Sequence, residues 1–466
     1  MKRSERRMGR REFLRTTSLA AAGGAAALLA PRLARAAAKQ GKRPPNVILI
    51  FTDDQGAVDV NCYGSKDLFT PNLDGLARRG ARFTQFYVAA PVCSPSRAAL
   101  LTGRYPQRAG VPSNVGAGGG MPNEQITIAE MLKAAGYRTA IFGKWHLGHA
   151  RAVSPLAQGF DEFFGHKNGC IDNYSHFFYW SGPNRHDLWR NDKEVWEPGA
   201  FFPDLIVREA KRFLKANRDR PFFLYLPFNV PHYPLQGTEK WRKHYAKLDP
   251  PRRMYAEFVS TVDEKIGEVL AAVDELNLRD NTLVIFLSDN GHSEEIRSFG
   301  GGGSAGPYRG HKFQLWEGGI RLPCIASLPG AIPPGAVRGQ MACSVDWLPT
   351  IAALCGAKPP DRTIDGRSIL PVLKSSDAPS PHKVFHWQSG NMWAVREGKW
   401  KLVATRPRRR RSGGPAGPPA KPTVSLFLAD LEADVGEKNN LASRHPDVVG
   451  RLTKLHQQWV RQVQAQ

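Results

Sequence analysis

The chain of 466 residues is long enough to bury a large core, and 41% hydrophobic with 23% charged residues is ordinary for a soluble globular protein. Its net charge of +23 is not ordinary, but more than half lies in residues 1–37, where nine Lys or Arg face only Glu5 and Glu12, and in Arg406 to Lys421, with five Arg, one Lys and no acid. Charge so concentrated argues against a nucleic-acid surface and leaves an anionic substrate open.

Taken from the start, Gly9-Arg10-Arg11-Glu12-Phe13-Leu14-Arg15 is a twin-arginine pattern. The mildly apolar run Ser18 to Ala30 follows, then small residues around Ala34-Arg35-Ala36 that suit cleavage. The order of basic, apolar and cleavable parts predicts a targeting segment over 1–37 and an exported protein, periplasmic or secreted, with the twin-arginine export machinery as a partner.

After a Lys/Pro-rich joint, Asn46 to Thr52 is a continuous apolar run of the kind buried on both faces of a parallel sheet. Similar runs recur at Thr139 to Phe142, Phe222 to Leu226 and Thr282 to Leu287. Helical-period segments lie between them at Leu73 to Arg79, Ser96 to Thr102, Ile128 to Ala135, Leu205 to Ala216 and Met254 to Leu276. The alternation predicts an α/β domain over 45–375, a large mostly parallel or mixed sheet flanked by helices. From 382 to 466 the pattern changes to short strands at Val384 to Gln388, Met392 to Val395, Trp400 to Ala404 and Ser425 to Leu428, with a closing helix at Val448 to Val463. This predicts a small antiparallel sheet plus helix. It is interrupted at 406–422 by an Arg/Gly/Pro insert that reads as a disordered loop.

Asp53-Asp54 follows the first predicted strand and Asp289-Asn290 follows the strand at Thr282 to Leu287. Ligands of open α/β sheets gather beyond the carboxyl ends of strands, so the two pairs should converge there. Each pair alone reads equally as a helix or turn cap; together their oxygens point to a hard cation, Ca²⁺ or Mg²⁺. Cys93 stands just ahead of a predicted helix in which Ser94 suits a cap and Pro95 the first turn. With Arg97 one turn on, that position suits an anion-facing cysteine, although a small buried cysteine would read the same way.

Cys93-Ser94-Pro95-Ser96-Arg97 resembles the sulfatase signature, whose cysteine is oxidised to formylglycine by a dedicated maturation enzyme. The resemblance continues through Gly143-Lys144-Trp145-His146, Asn229-Val230-Pro231-His232, Ser288-Asp289-Asn290-Gly291 and Arg309-Gly310-His311-Lys312. It implies an alkaline-phosphatase-like fold and a sulfuric ester hydrolase of the arylsulfatase or N-acetylgalactosamine-6-sulfatase type, acting on a sulfate ester, with a sulfated polysaccharide as one candidate. It implies a Ca²⁺ site, with Mg²⁺ second, made by Asp53, Asp54, Asp289, Asn290 and formylglycine 93. By the same resemblance, Asp289 assists attack, His232 with Lys312 serves the leaving oxygen, His146 accepts the proton that lets sulfate depart, and Arg97 and Lys144 hold the hydrate. His311 reads as a supporting residue. The stretch Phe177 to Trp196, with His176 and His186, reads either as pocket lining or as packing, Gly300 to Gly306 as a lid, and Gly116 to Gly120 as a local peculiarity. A phosphate or phosphonate ester hydrolase of the same superfamily, or a non-catalytic sulfated-glycan binding protein, are the competing readings.

Overall fold

The computed structural model describes residues 43–116, 118–405 and 425–464. The expected leader at 1–37 and the insert at 406–422 lie outside the described residues. Pro45 to Gln466 forms one compact unit, in which the small C-terminal sheet shares a core with a two-stranded sheet made by Phe86–Tyr87 and Ala342–Cys343.

The large sheet has ten strands, in the order Ala336–Arg338, Ala81–Phe83, Cys324–Ser327, Thr282–Ser288, Asn46–Thr52, Phe222–Pro227, Arg138–Lys144, Glu162–His166, Trp189–Arg190 and Lys193–Glu194. The middle five, from Thr282–Ser288 to Glu162–His166, pair in parallel. Antiparallel partners flank them on both sides, so the sheet is mixed with a parallel centre. Alternation along these strands feeds two cores. Ile48, Ile50, Leu224 and Phe286 face one layer with helices Phe202–Ala216 and Arg252–Glu275. Val47, Leu49, Phe223 and Ile285 face the other with helices Cys93–Thr102 and Trp347–Cys355. Strands buried on both faces must be apolar throughout, which explains the uninterrupted runs.

Register positions the site. Thr52 pairs with Ser288 in the parallel ladder, so the acidic pairs that follow both strands emerge level at one sheet edge. The amide of Asp289 donates to Thr52 O (3.1 Å) and that of Asp53 to Val230 O (3.1 Å), which ties in the segment carrying His232.

The helix expected from Ser96 begins at Cys93, and Ser94 is not its cap. Extended Val92 occupies the cap position without a side-chain bond. The Ser94 amide instead donates to Asn114 Oδ1 (3.0 Å) and Ser94 Oγ accepts from the Val115 amide (3.1 Å). Every residue of this helix is buried, so neighbouring loops rather than a local cap satisfy its first turn.

The small sheet runs Val384–Ser389, Met392–Glu397, Trp400–Thr405, Ser425–Asp430, all antiparallel, with helix Pro446–Gln464 on it. The turn at Arg396 to Lys399 is a two-residue hairpin in which Gly398 takes φ 56°, a left-handed geometry that glycine adopts without strain. Trp387 Nε1 donates to Val88 O (2.8 Å) across the junction of the two sheets. Beside it lies a sealed charge cluster. Lys401 Nζ is 2.8 Å from Glu317 and 3.0 Å from Glu437, and Arg321 lies 3.2 Å from Glu317. Tyr87 donates to Glu317 (2.6 Å) and receives from Arg396.

Candidate active site

At the carboxyl edge of the parallel strands, Asp53, Asp54, Asp289 and Asn290 are buried together with Arg97, Lys144 and Lys312. Arg97 Nη2 reaches Asp289 Oδ2 (2.7 Å) and Asp53 Oδ2 (3.3 Å). Lys144 Nζ lies 2.5 Å from Asp53 Oδ2, and Lys312 Nζ 2.8 Å from Asp54 Oδ2. His232 Nε2 stands 3.8 Å from Asp54 Oδ2, and Cys93 Sγ 3.5 Å from Asp53 Oδ1. The expected ligand and catalytic residues, drawn from positions 53 to 312, therefore meet at one place, His146 joining them on the floor of the adjoining cavity.

Two of them sit on strained backbone. Asp54 has φ 62° and His146 φ 55°, a region that costs non-glycine residues energy and persists where surroundings hold it. For His146 the hold is visible: its amide donates to Lys167 O (3.2 Å), and its ring lies so close to Gly169 that a Cβ there would come within 2.8 Å of Cε1 and Nε2.

Burial sets the protonation states. It raises the Cys93 thiol well above its ordinary value even though Lys144 pulls the other way, so an unmodified thiol here is not a thiolate nucleophile. Burial is the largest influence on Lys312 and on Arg97 and opposes their charge, but their neighbours together, led by Asp54 for the former and Asp289 for the latter, outweigh it and keep both cationic. His146 is pushed well below the usual imidazole range by burial and then by Lys144. His232 falls to about 4, chiefly through burial. His232 Nδ1 lies 2.8 Å from the Tyr233 carbonyl. A carbonyl only accepts, so in the neutral ring Nδ1 carries the proton and Nε2 faces the cluster with a lone pair.

The donor set fits a hard divalent cation. One ligand atom each from Asp53, Asp54 and Cys93 lie within 4.8 Å of one another. Asn290 donates its Nδ2 to Asp54 Oδ1 (2.6 Å) while its Oδ1 is buried with no hydrogen-bond partner, an oxygen that a cation would satisfy. Burial, then the neighbouring Asp53, pushes Asp289 up to about 7 despite Arg97, as expected of a carboxyl group taken out of water beside another. Three carboxylates balance three basic side chains here, so an added divalent cation would leave the site positive, the sign that attracts sulfate.

A cavity of about 360 Å³ opens onto the cluster, floored by Cys93, His146, His232 and Lys312. Tyr233, Phe313, Phe178 and Trp180 form apolar wall; Asn114, Asn168 and Arg185 form polar wall. Of the aromatic stretch, Phe178 and Trp180 line the cavity, whereas His176 bonds Ala200 O (3.0 Å) and His186 stacks on Trp196 (3.8 Å between centroids) and packs away from it. Gly116, the first residue of the glycine run, also lines it. Gly300 to Gly306 does not line it. Gly302 O accepts from Arg252 (2.8 Å), and Ser304 N donates to Asp59 (2.7 Å), pinning that loop beneath residues 56–59 rather than leaving it as a lid. His311 contacts Gln314 (2.9 Å) and Glu294 (3.2 Å) beside the cluster. Tyr233 and Phe313 were not singled out from the sequence, although adjacency to His232 and Lys312 is a usable signal; Asn168 and Arg185 lie in no motif.

Comparison with known proteins agrees with this geometry. The family model described as Sulfatase matches residues 45–357. Human arylsulfatase A is 37% identical, over 91% of this chain and 90% of the relative. N-acetylgalactosamine-6-sulfatase of the dog is 36% identical, over 80% and 73%. The solved structure of Ps i-CgsB in complex with k-i-k-neocarrahexaose superposes with a TM-score of 0.79 at 31% identity, covering 90% of this chain and 93% of that one.

Proposed function

The chain belongs to the sulfatase family, and from that premise we propose that it releases inorganic sulfate from a sulfated glycan at the Asp53–Cys93–Lys312 cluster, with Cys93 converted to formylglycine and a calcium ion held by Asp53, Asp54, Asp289 and Asn290. One observation carries the reading: Cys93, too deeply buried to ionise as a thiol, stands on the floor of a single cavity at the edge of a buried cluster of three carboxylates, the unpartnered Asn290 oxygen and three fixed cations. Bound calcium would polarise oxygens at the site and offset the charge of the sulfate. The hydrated aldehyde at position 93 would supply one hydroxyl to attack sulfur and a second that lets sulfate depart.

The chain's own groups then have distinct tasks. Arg97 and Lys144, fixed by Asp53 and Asp289, position the side chain of residue 93. Lys312, kept protonated by Asp54, faces the bridging oxygen that becomes the leaving alkoxide and stabilises the charge that grows there. His232 is neutral at rest and becomes a proton donor at Nε2 once an anion is bound beside it. His146, neutral and with its Nδ1 unpartnered, accepts the proton whose removal lets sulfate leave. Cavity size supports a substrate larger than sulfate itself, since pockets of roughly 300–1,000 Å³ take whole small ligands. The similar structure in complex with k-i-k-neocarrahexaose supports a glycan.

The leader-like residues 1–37 support an exported location reached through the twin-arginine machinery, and the segment Cys93 to Arg97 supports a maturation enzyme that oxidises Cys93 as a second partner. The test is a peptide mass at Cys93 together with sulfate release from aryl sulfates and sulfated oligosaccharides. Conversion to formylglycine with sulfate turnover well above turnover of matched phosphate esters is expected. An unmodified thiol in protein that is nonetheless active would sink the mechanism.

A further inference from the structure

Beyond the reacting cluster, the cavity wall carries one cation, Arg185, and no Asp or Glu among the lining residues. Arg185 stands opposite Phe178 in a two-stranded ribbon, and its guanidinium lies 4.6 Å over the Phe178 ring. Its Nη2 donates to Asn168 Oδ1 (3.1 Å). Asn168 is in turn fixed by Asp187, whose Oδ2 accepts from the Asn168 amide (2.9 Å) and side chain (2.7 Å). Asp187 Oδ1 is engaged with the Lys167 amide and Trp189 Nε1. Among the described residues Arg185 thus has no carboxylate partner, and its Nε is buried without a hydrogen-bond acceptor. Trp180 cannot supply the recognition instead, because its ring is stacked with Tyr233 and lies under Arg297.

A guanidinium held in place by a ring and an amide, with donors left over, is preorganised to receive an anion with little further ordering. The leaving sulfate occupies the cluster at the cavity floor, so Arg185 must meet another part of the substrate. We propose that Arg185 is a specificity-determining residue that binds a second anionic group, a carboxylate or a further sulfate, on the sugar carrying or adjoining the scissile ester. This rests on the sulfatase reading and narrows it to polyanionic glycans.

The experiment uses Cys93-converted enzyme, wild type, Arg185→Met and Arg185→Lys. The probes are 4-nitrophenyl sulfate, a monosulfated neutral disaccharide, its uronic-acid counterpart and its disulfated counterpart. Charge-assisted bonds of this kind predict that Arg185→Met raises KM about tenfold or more for the carboxylated or the disulfated probe. Its kcat should hold, single-anion probes should be unaffected, and Arg185→Lys should recover part of the loss. Whichever dianionic probe responds identifies the group bound. Equal KM changes on all four probes, or none on either dianion, would overturn the subsite while leaving sulfate release intact. No sulfate release by wild type from any probe would instead remove the sulfatase reading and the subsite with it.

Discussion

Two clusters of buried charge lie in this molecule, and they share their ingredients. At the strand ends, Asp53, Asp54 and Asp289 meet Arg97, Lys144 and Lys312. At the junction of the two sheets, Glu317 and Glu437 meet Lys401, with Arg321 and Arg396 around them. Both show split carboxylates. In the second, burial is overcome by Lys401 and Arg321 at Glu317, which drops to about 2, but prevails at Glu437, which rises to about 7. Perturbed carboxyl groups therefore do not by themselves mark chemistry. The clusters differ in access: the first opens onto a cavity and holds the unpartnered oxygen of Asn290, while the second is closed by Tyr87 and the small sheet. One is built to receive something, the other to clamp two sheets together.

The comparison can be broken in order of expected effect. Cys93→Ala, or exhaustive chelation of wild type, should take sulfate release to background while circular dichroism stays native; calcium should restore the chelated enzyme but not the variant. Normal turnover by Cys93→Ala would falsify the assignment of the nucleophile. Lys401→Met leaves Glu317 and Glu437 buried without their shared cation and should cost about 3–5 kcal/mol of stability, read by denaturant unfolding, with kcat retained by the folded fraction. A loss of kcat without a loss of stability would mean the clamp belongs to the site after all. Lys312→Ala should show the reverse, a fall in kcat/KM of roughly 10²–10³ with little change in unfolding midpoint.

The smallest effect concerns pH. His386 and His456, at the contact between small sheet and last helix, are held neutral by burial, with pKa values lowered to about 3 and about 4 from 6.5. Unfolded histidine binds its proton first as pH falls, so their contribution is complete above about 6.5 and is lost on acidification towards 4. The slope is at most about 1.4 kcal/mol per pH unit for each histidine. Hydrogen exchange along Pro446–Gln464 should accelerate over that window, and less so in His386→Phe, where His456 alone remains. Identical pH profiles for the two proteins would remove this histidine from the account.

What the sequence made legible follows from where the information is local. The strand-end pairs, Cys93 and the two site histidines sit in short contiguous motifs beside apolar runs, so both identity and place could be read. The cavity wall could not. Asn114 and Gly116, Asn168, and Arg185 come from two loops and a two-residue strand without periodicity, joined through contacts such as Ser94 to Asn114 and Asn168 to Asp187. The strand Ala81–Phe83 and the edge strand Ala336–Arg338 beside it have three residues each, too few to show alternation. The early start at Cys93 was hidden because tertiary contacts, not a capping side chain, satisfy the first turn.

The level pairing of Thr52 with Ser288 has a consequence for how activity arises during maturation of the polypeptide. Asp54 and Asn290 are 236 positions apart in sequence, and a one-residue slip between their strands would turn every side chain of one strand to the opposite face. No fragment ending before that strand holds the full donor set of the proposed cation site, and neither does a molecule with the ladder misaligned. Metal affinity would thus report on long-range assembly: a nascent chain would stay inert until its most distant contacts have closed.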